Sequence, residues 1–288
     1  MTRLGTRRAN QSPGLWVARA TTVAVIAAVS LVPVILFAMT SVLTREAVLG
    51  GLSRLDGSLL TLDHYRQLLF RVDVPKLIAD SLLLAVLSSL AALAVGVTAS
   101  YFVSRGGGRL PGQVYALALS VWLVPPVALS LEVYLWFQRF DLYDRLSGVT
   151  LLYAAVHSSL VVVLLAPYWD AVHRRIDEAA WMDGWYGFDV IWRVHLPALL
   201  APLAAILTLA FLRSWNELLF ASILTDRRVS TLPVAMLSLT TGSHIEWGQI
   251  AALGAIGLLP APAAGLVLWL ALRRISPEAR WRDARELA

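Results

Sequence analysis

Ala20–Met39 reads ATTVAVIAAVSLVPVILFAM, a run with no charged residue. A helix rises about 1.5 Å per residue, so this run reaches about 30 Å, the thickness of a bilayer's hydrocarbon core. It follows Arg3, Arg7, Arg8 and Arg19. A cleaved signal peptide has an apolar core of only about 7–15 residues, so an uncleaved membrane anchor is expected.

Working outward from that run, five more apolar stretches follow. They cover roughly Leu82–Val103, Val114–Phe137, Gly148–Trp169, Ala198–Leu224 and Gly248–Leu272. The chain is 58% hydrophobic and 15% charged, with a mean hydropathy of +0.68. A soluble domain is about 45–50% apolar and about 25% charged, so a soluble fold is excluded. The expected fold is all-α and polytopic, with six transmembrane helices. Pro125-Pro126 interrupts the third stretch and predicts a kink or a broken helix, and Pro260 with Pro262 is placed to do the same in the sixth. With the N-terminus inside, most of the 24 Lys and Arg fall on inner segments, as the positive-inside rule requires. The expected organisation is a cytoplasmic segment 1–19, a membrane domain 20–272 with a cytoplasmic loop at about 170–197, and a cytoplasmic tail 273–288. In the outer segment 40–80, Thr61 or Asp63 is the expected N-cap of a short helix.

The chain has no cysteine, which excludes disulfides and thiolate metal sites. Its only lysine, Lys76, lies between Pro75 and Leu77. A phosphate-binding loop needs Gly-Lys-Ser/Thr, so this chain has none, and any ATP chemistry belongs to a partner. Nothing resembles a metal site, a nucleophile triad or a paired-carboxylate site, so no catalytic residue and no metal ligand are expected.

The long inner connection carries the function. It reads Arg174-Arg175-Ile176-Asp177-Glu178-Ala179-Ala180-Trp181-Met182-Asp183-Gly184 and closes with Val194-His195-Leu196-Pro197. Ile176–Met182 has helical composition, Gly184 is suited to end that helix at positive φ, and Pro197 to open the next. Small Ala179 and Ala180 beside Glu178 make a thin helix that another protein can approach. An ordinary surface helix with a solvated Glu178 is the plainer reading of the residues.

With Asp183-Gly184 and Leu196-Pro197 in register, this segment resembles the EAA loop of ABC importer permeases. The resemblance implies a coupling helix that docks in a cleft of a separate ATPase subunit, through Glu178, Ala179, Ala180, Asp183 and Gly184. Thr61-Leu62-Asp63-His64-Tyr65, Ala99-Ser100-Tyr101 with Ser104-Arg105, Trp215-Asn216-Glu217, Thr231-Leu232-Pro233 and Glu246-Trp247-Gly248 are similar to landmarks of the maltose and multiple-sugar group. Two features depart from that pattern: Trp185 stands where a small residue is usual, and the end Arg285-Glu286-Leu287-Ala288 lacks a Gly-rich basic tail.

Charged side chains at membrane depth face a bundle interior or a wet cavity. Arg213 and Glu217 lie four apart on the fifth stretch, with Trp215 and Asn216 between them, and Glu132 and Trp136 lie four apart on the third. These six are candidates for the translocation path. The alternatives are a structural Arg213–Glu217 pair with an interfacial Trp215, and a solvated Glu132 with a belt Trp136. His157 reads as a buried, hydrogen-bonded residue.

The resemblance implies a non-enzymatic subunit of an ATP-driven sugar importer in the bacterial inner membrane, both termini cytoplasmic. Its implied partners are an ATPase pair that binds the ATP and Mg, a second and different permease chain, an extracytoplasmic solute-binding protein and membrane lipid. No nucleic acid and no cofactor of its own are expected. A permease for polyamine, phosphate, metal chelate or organic anion is the near alternative, and an ion-coupled secondary transporter the distant one.

Overall fold

The computed structural model describes residues 13–50, 60–172, 174–240 and 245–275. Most of the expected N-terminal segment, with Arg3, Arg7 and Arg8, and the tail from residue 276 lie outside them. The helices are α1 (Pro13–Val42), α2 (Arg45–Gly50), α3 (Asp63–Arg71), α4 (Val74–Arg105), α5 (Leu110–Leu123), α6 (Pro126–Arg139) and α7 (Leu146–Ala171). They continue with α8 (Arg174–Met182), α9 (Leu200–Trp215), α10 (Leu219–Leu224), α11 (Leu232–Ser238), α12 (Trp247–Gly257) and α13 (Pro260–Ile275). A π turn, Val190–His195, and a 3-10 turn, Leu196–Leu199, lead into α9. Apart from one isolated bridge between Leu43 and Leu60, the described residues hold no β-structure. The protein is an all-α polytopic membrane protein.

Four stretches are long and apolar enough to cross a bilayer unaided: Val17–Val42, Val74–Arg105, Leu146–Ala171 and Trp247–Leu270. The expected third span is two half-helices, α5 and α6, set at 102°. A residue before proline is forced out of the α region, and the tandem prolines do this twice. Val124 has ψ 121° and Pro125 ψ 127°, both extended. The expected fifth span is likewise not continuous. α9 stops at Trp215 after 16 residues, and α10 follows beyond Asn216–Leu218.

The chain forms two compact units, one holding the residues up to Arg71 and the stretch that ends at Ile256, the other Val72–Ser243 and everything from Gly257. In the first, α3 is tied to the end of α1. Thr61 Oγ1 accepts the Asp63 amide at 3.0 Å, Tyr65 donates to Ser41 Oγ at 2.8 Å, and His64 Nε2 lies 2.8 Å from the Leu43 carbonyl. Gln249 extends this docking, its side-chain Nε2 donating to Gln67 Oε1 at 2.8 Å. Residues 17–38 of α1 are exposed throughout, as an apolar helix facing lipid or another chain is.

The second unit is built on α4, α7 and α9. Between helices in a membrane, close packing replaces the hydrophobic effect, and small residues let backbones approach. α4 buries such a stripe: Ser81, Ala85, Ser88, Ala92, Gly96 and Ser100. A Cβ on Gly96 would stand 2.7 Å from Val161 Cγ1 and 2.9 Å from the Ser158 carbonyl, so only glycine fits this contact with α7. Larger side chains fill the two ends. Trp169, Leu165, Leu203 and Ile206 cluster with Ile191 of the 170–197 loop, and Tyr153, Phe137, Phe220 and Leu224 with Leu142 and Tyr143.

Candidate coupling helix and translocation path

The 170–197 loop does form a helix, α8, beginning two residues before the expected Ile176. Its end follows from glycine. Gly184 has φ 85°, and the Trp185 amide turns back to the Ala180 carbonyl at 2.9 Å. α8 has two distinct faces. Asp177 and Ala180, three apart, are buried, whereas Glu178, Ala179, Trp181 and Met182 are exposed, Met182 at 89%. Asp183 and Gly184 are exposed as well.

The buried face is held by groups of α4 and by His195 from the closing part of the loop. Asp177 Oδ1 lies 2.5 Å from His195 Nε2 and accepts from Tyr101 at 3.3 Å. Arg105 Nε stands 2.8 Å from Asp177 Oδ2, an ion pair without hydrogen-bond alignment, since neither atom has a hydrogen-bonded partner. The same guanidinium donates to the Val172 carbonyl at 2.8 Å. Tyr101, Trp169 and His195 stack edge-on around this cluster, and Trp169 Nε1 donates to Ser100 Oγ at 2.8 Å. Arg174 donates to the Ser104 carbonyl at 3.2 Å, and Ser104 to Asp170. α8 is thus bolted to the C-terminal end of α4. Trp185 lies under the Arg193 guanidinium at 4.3 Å, and Arg193 pairs with Asp189 at 3.1 Å. A cavity of about 590 Å³ opens beside α8, lined by Phe102, Arg105, Arg174, Glu178, Trp181 and Phe188.

The six path candidates separate into two groups. Glu217 is structural: it accepts from Tyr153 and from the amides of Phe220 and Ala221 at 3.0 and 3.1 Å, starting α10. It does not pair with Arg213, because the helix that would have aligned them ends at Trp215. Trp215 is 5% exposed and donates to the Gly257 carbonyl at 3.0 Å. Arg213, Asn216, Glu132 and Trp136 are exposed. Arg213 lies over the Trp122 ring at 4.6 Å, Asn216 donates back to the Leu212 carbonyl at 2.8 Å, and Trp136 stacks on Phe140 at 5.3 Å. His157 is buried and bonded to Ser214, which also bonds Ser88.

At the end of the bundle away from α8, Asp144, at φ 52°, collects four backbone amides, those of Asp226, Arg227, Arg228 and Val229, at 2.8–3.1 Å. Burial alone would raise this carboxyl, but the four donors outweigh it and hold it below the usual carboxylate range. Lys76 adds bonds to the Arg228 carbonyl and to Asp80, both at 2.6 Å.

A family described as binding-protein-dependent transport system inner membrane component matches residues 92–277. The trehalose transport system permease SugB of Mycobacterium tuberculosis is 28% identical over 233 residues, covering 79% of this chain and 83% of its own. The trehalose/maltose permease MalG of Thermococcus litoralis is 28% identical over 207 residues, covering 69% of this chain and 73% of its own. The inner membrane ABC transporter permease YcjP of Escherichia coli is 27% identical over 203 residues, covering 69% and 72%. A solved bacterial ABC transporter involved in the import of the acidic polysaccharide alginate superposes with a TM-score of 0.70 at 19% identity, over 93% of this chain and 99% of that one. That likeness establishes a shared fold.

Proposed function

Because the chain belongs to the family of binding-protein-dependent transport system inner membrane components, and so is an ABC importer permease subunit, we propose that its cargo is a sugar or oligosaccharide and that α8 is its coupling helix. The division of α8 into an anchored and an outward face carries this reading. Asp177 and Ala180 fix the helix to the membrane bundle, and Glu178, Ala179, Trp181 and Met182 are left for a partner. ATP binding closes a pair of ATPase subunits, and a helix rigidly joined to α4 passes that movement to the spans. The free energy comes from differential binding of nucleotide to two states of the whole assembly. The names of the relatives, trehalose and maltose permeases among them, support a sugar as cargo.

The proposed assembly has a second, different permease chain, and a solute-binding protein delivering cargo to the outer face, where residues 226–229 are held by Asp144. The proposed topology counts α5 with α6 and α9 with α10 as single crossings, giving six, with both termini cytoplasmic. Purifying the tagged chain in mild detergent and identifying what accompanies it tests the assembly. An ATP-binding subunit, a second permease and a binding protein are expected. A chain that emerges alone in every detergent, with uptake driven by an ion gradient and indifferent to Glu178→Lys, contradicts it.

A further inference from the structure

Arg213 occupies the last turn of α9, about 20 Å along the helix from Leu200 at about 1.5 Å per residue. Trp122 lies about 18 Å along α5 from Leu110 by the same measure. Measured from those helix starts, both fall within the reach of a hydrocarbon layer about 30 Å thick. An arginine at that depth is costly unless it meets water or a counter-charge.

The structure holds this arginine in a particular way. Its guanidinium carbon lies 4.6 Å from the centroid of Trp122, and Trp122 is itself fixed by donating to Ser159 Oγ at 3.1 Å. A cation–π contact of this kind engages none of the five N–H donors of the guanidinium fork, so they stay available. Among the described residues no carboxylate pairs with it. Glu217, the acid four residues on, is engaged by Tyr153 and by the Phe220 and Ala221 amides. The exposed Glu132 lies past the 102° break, about 9 Å along α6 from Pro126.

Resting on the importer reading above, we infer that Arg213 contacts the cargo, and that the cargo is a saccharide bearing a carboxylate. Hydroxyls of a neutral sugar satisfy N–H donors but leave the charge uncompensated where the dielectric is low. A carboxylate does both, and it matches the guanidinium edge with two parallel hydrogen bonds. Trp122 keeps that edge presented as the cargo passes, and Asn216, exposed three residues along from Arg213, adds a neutral polar neighbour.

The test expresses the chain with the ATPase, second permease and binding protein that co-purify with it. The probes are galacturonate disaccharide and trisaccharide against maltose and trehalose. ATP-dependent uptake of the acidic saccharides is expected, falling at least ten-fold in Arg213→Gln with the complex intact. Arg213→Lys, which keeps the charge but not the fork, should give an intermediate rate. Transport of the neutral sugars in preference to the acidic ones overturns the proposal, as does unchanged uptake in Arg213→Gln. Loss of the second permease from the Arg213→Gln complex also overturns it, by placing the arginine at a subunit contact. No uptake of any saccharide by the unaltered complex removes the sugar reading itself, a failure visible before any variant is made.

Discussion

His195 Nε2 lies 2.5 Å from Asp177 Oδ1, so the last part of the loop motif closes onto its first part inside the protein. Both side chains are nearly inaccessible, at 2% and 4% exposure. Together with Arg105 and Tyr101 they make the joint through which α8 is attached to α4. Removing one partner of a buried charged pair costs about 3–5 kcal/mol, because the other is left uncompensated. Asp177→Ala should therefore loosen α8 and reduce uptake at least ten-fold while the chain remains inserted. Protease sensitivity of the 172–196 loop measures the loosening, and an equally resistant loop with full transport would contradict the joint.

Gly184 supplies the positive φ, 85°, that ends α8. A side chain there meets no neighbour within 4 Å, so the penalty is purely one of backbone conformation. It is about 1–2 kcal/mol for a residue with a Cβ. Gly184→Val should impair transport more than Gly184→Asn, because asparagine tolerates the left-handed region. Equal uptake in both variants would show that the turn does not matter.

Gly96 lies at the closest approach of α4 and α7, with Val161 and the Ser158 carbonyl over it. Overpacking costs about 1–3 kcal/mol in a packed interior. Gly96→Val should lower the thermal stability of the detergent-solubilised protein clearly, whereas Gly107→Val, where nothing stands within 4 Å, should not. Fluorescence-detected gel filtration after a heating series reads the difference.

Asp144 predicts a particular pH behaviour. Its carboxyl titrates below the ordinary 3.8, so its contribution is complete above that value and disappears only as pH falls through the lower folded one. Hydrogen exchange at residues 226–229 should thus stay slow from pH 7 to pH 5. Asp144→Asn should raise that exchange roughly ten-fold already at pH 7, since a hydrogen bond to a charged acceptor is worth about 1.5 kcal/mol at its weaker end. Loss of protection in the unaltered protein between pH 6 and pH 5 would contradict this.

The membrane character, the break at Pro125-Pro126 and the glycine end of α8 are legible in the sequence because each is local. Apolar length, tandem prolines and Gly184 act on their own neighbourhoods. The Asp177 cluster is not local: His195, Arg105 and Tyr101 come from separate segments, and only the i,i+3 phase of Asp177 with Ala180 hints that one acid of the helix points inward. The alternative of a structural Arg213–Glu217 pair fails for a related reason. Spacing by four implies a shared face only in a continuous helix, and Glu217 ends that continuity by taking the α10 amides. Trp215 is buried and Trp122 exposed, and no sequence signal separates a buried tryptophan from an exposed one. The small stripe on α4 is visible in retrospect as Ser81, Ala85, Ser88, Ala92, Gly96 and Ser100, but apolar runs that long conceal a four-residue period.

The central claim is that the outward face of α8 docks on an ATPase subunit, and cysteine cross-linking tests it most directly. The chain has no native cysteine, so Glu178→Cys, Met182→Cys and Ala180→Cys can each be placed singly. A short bifunctional reagent should join the first two to the co-purifying ATPase in a nucleotide-dependent way and leave the buried position 180 unreacted. No cross-link from either exposed position, with the ATPase present in the complex, would contradict the account.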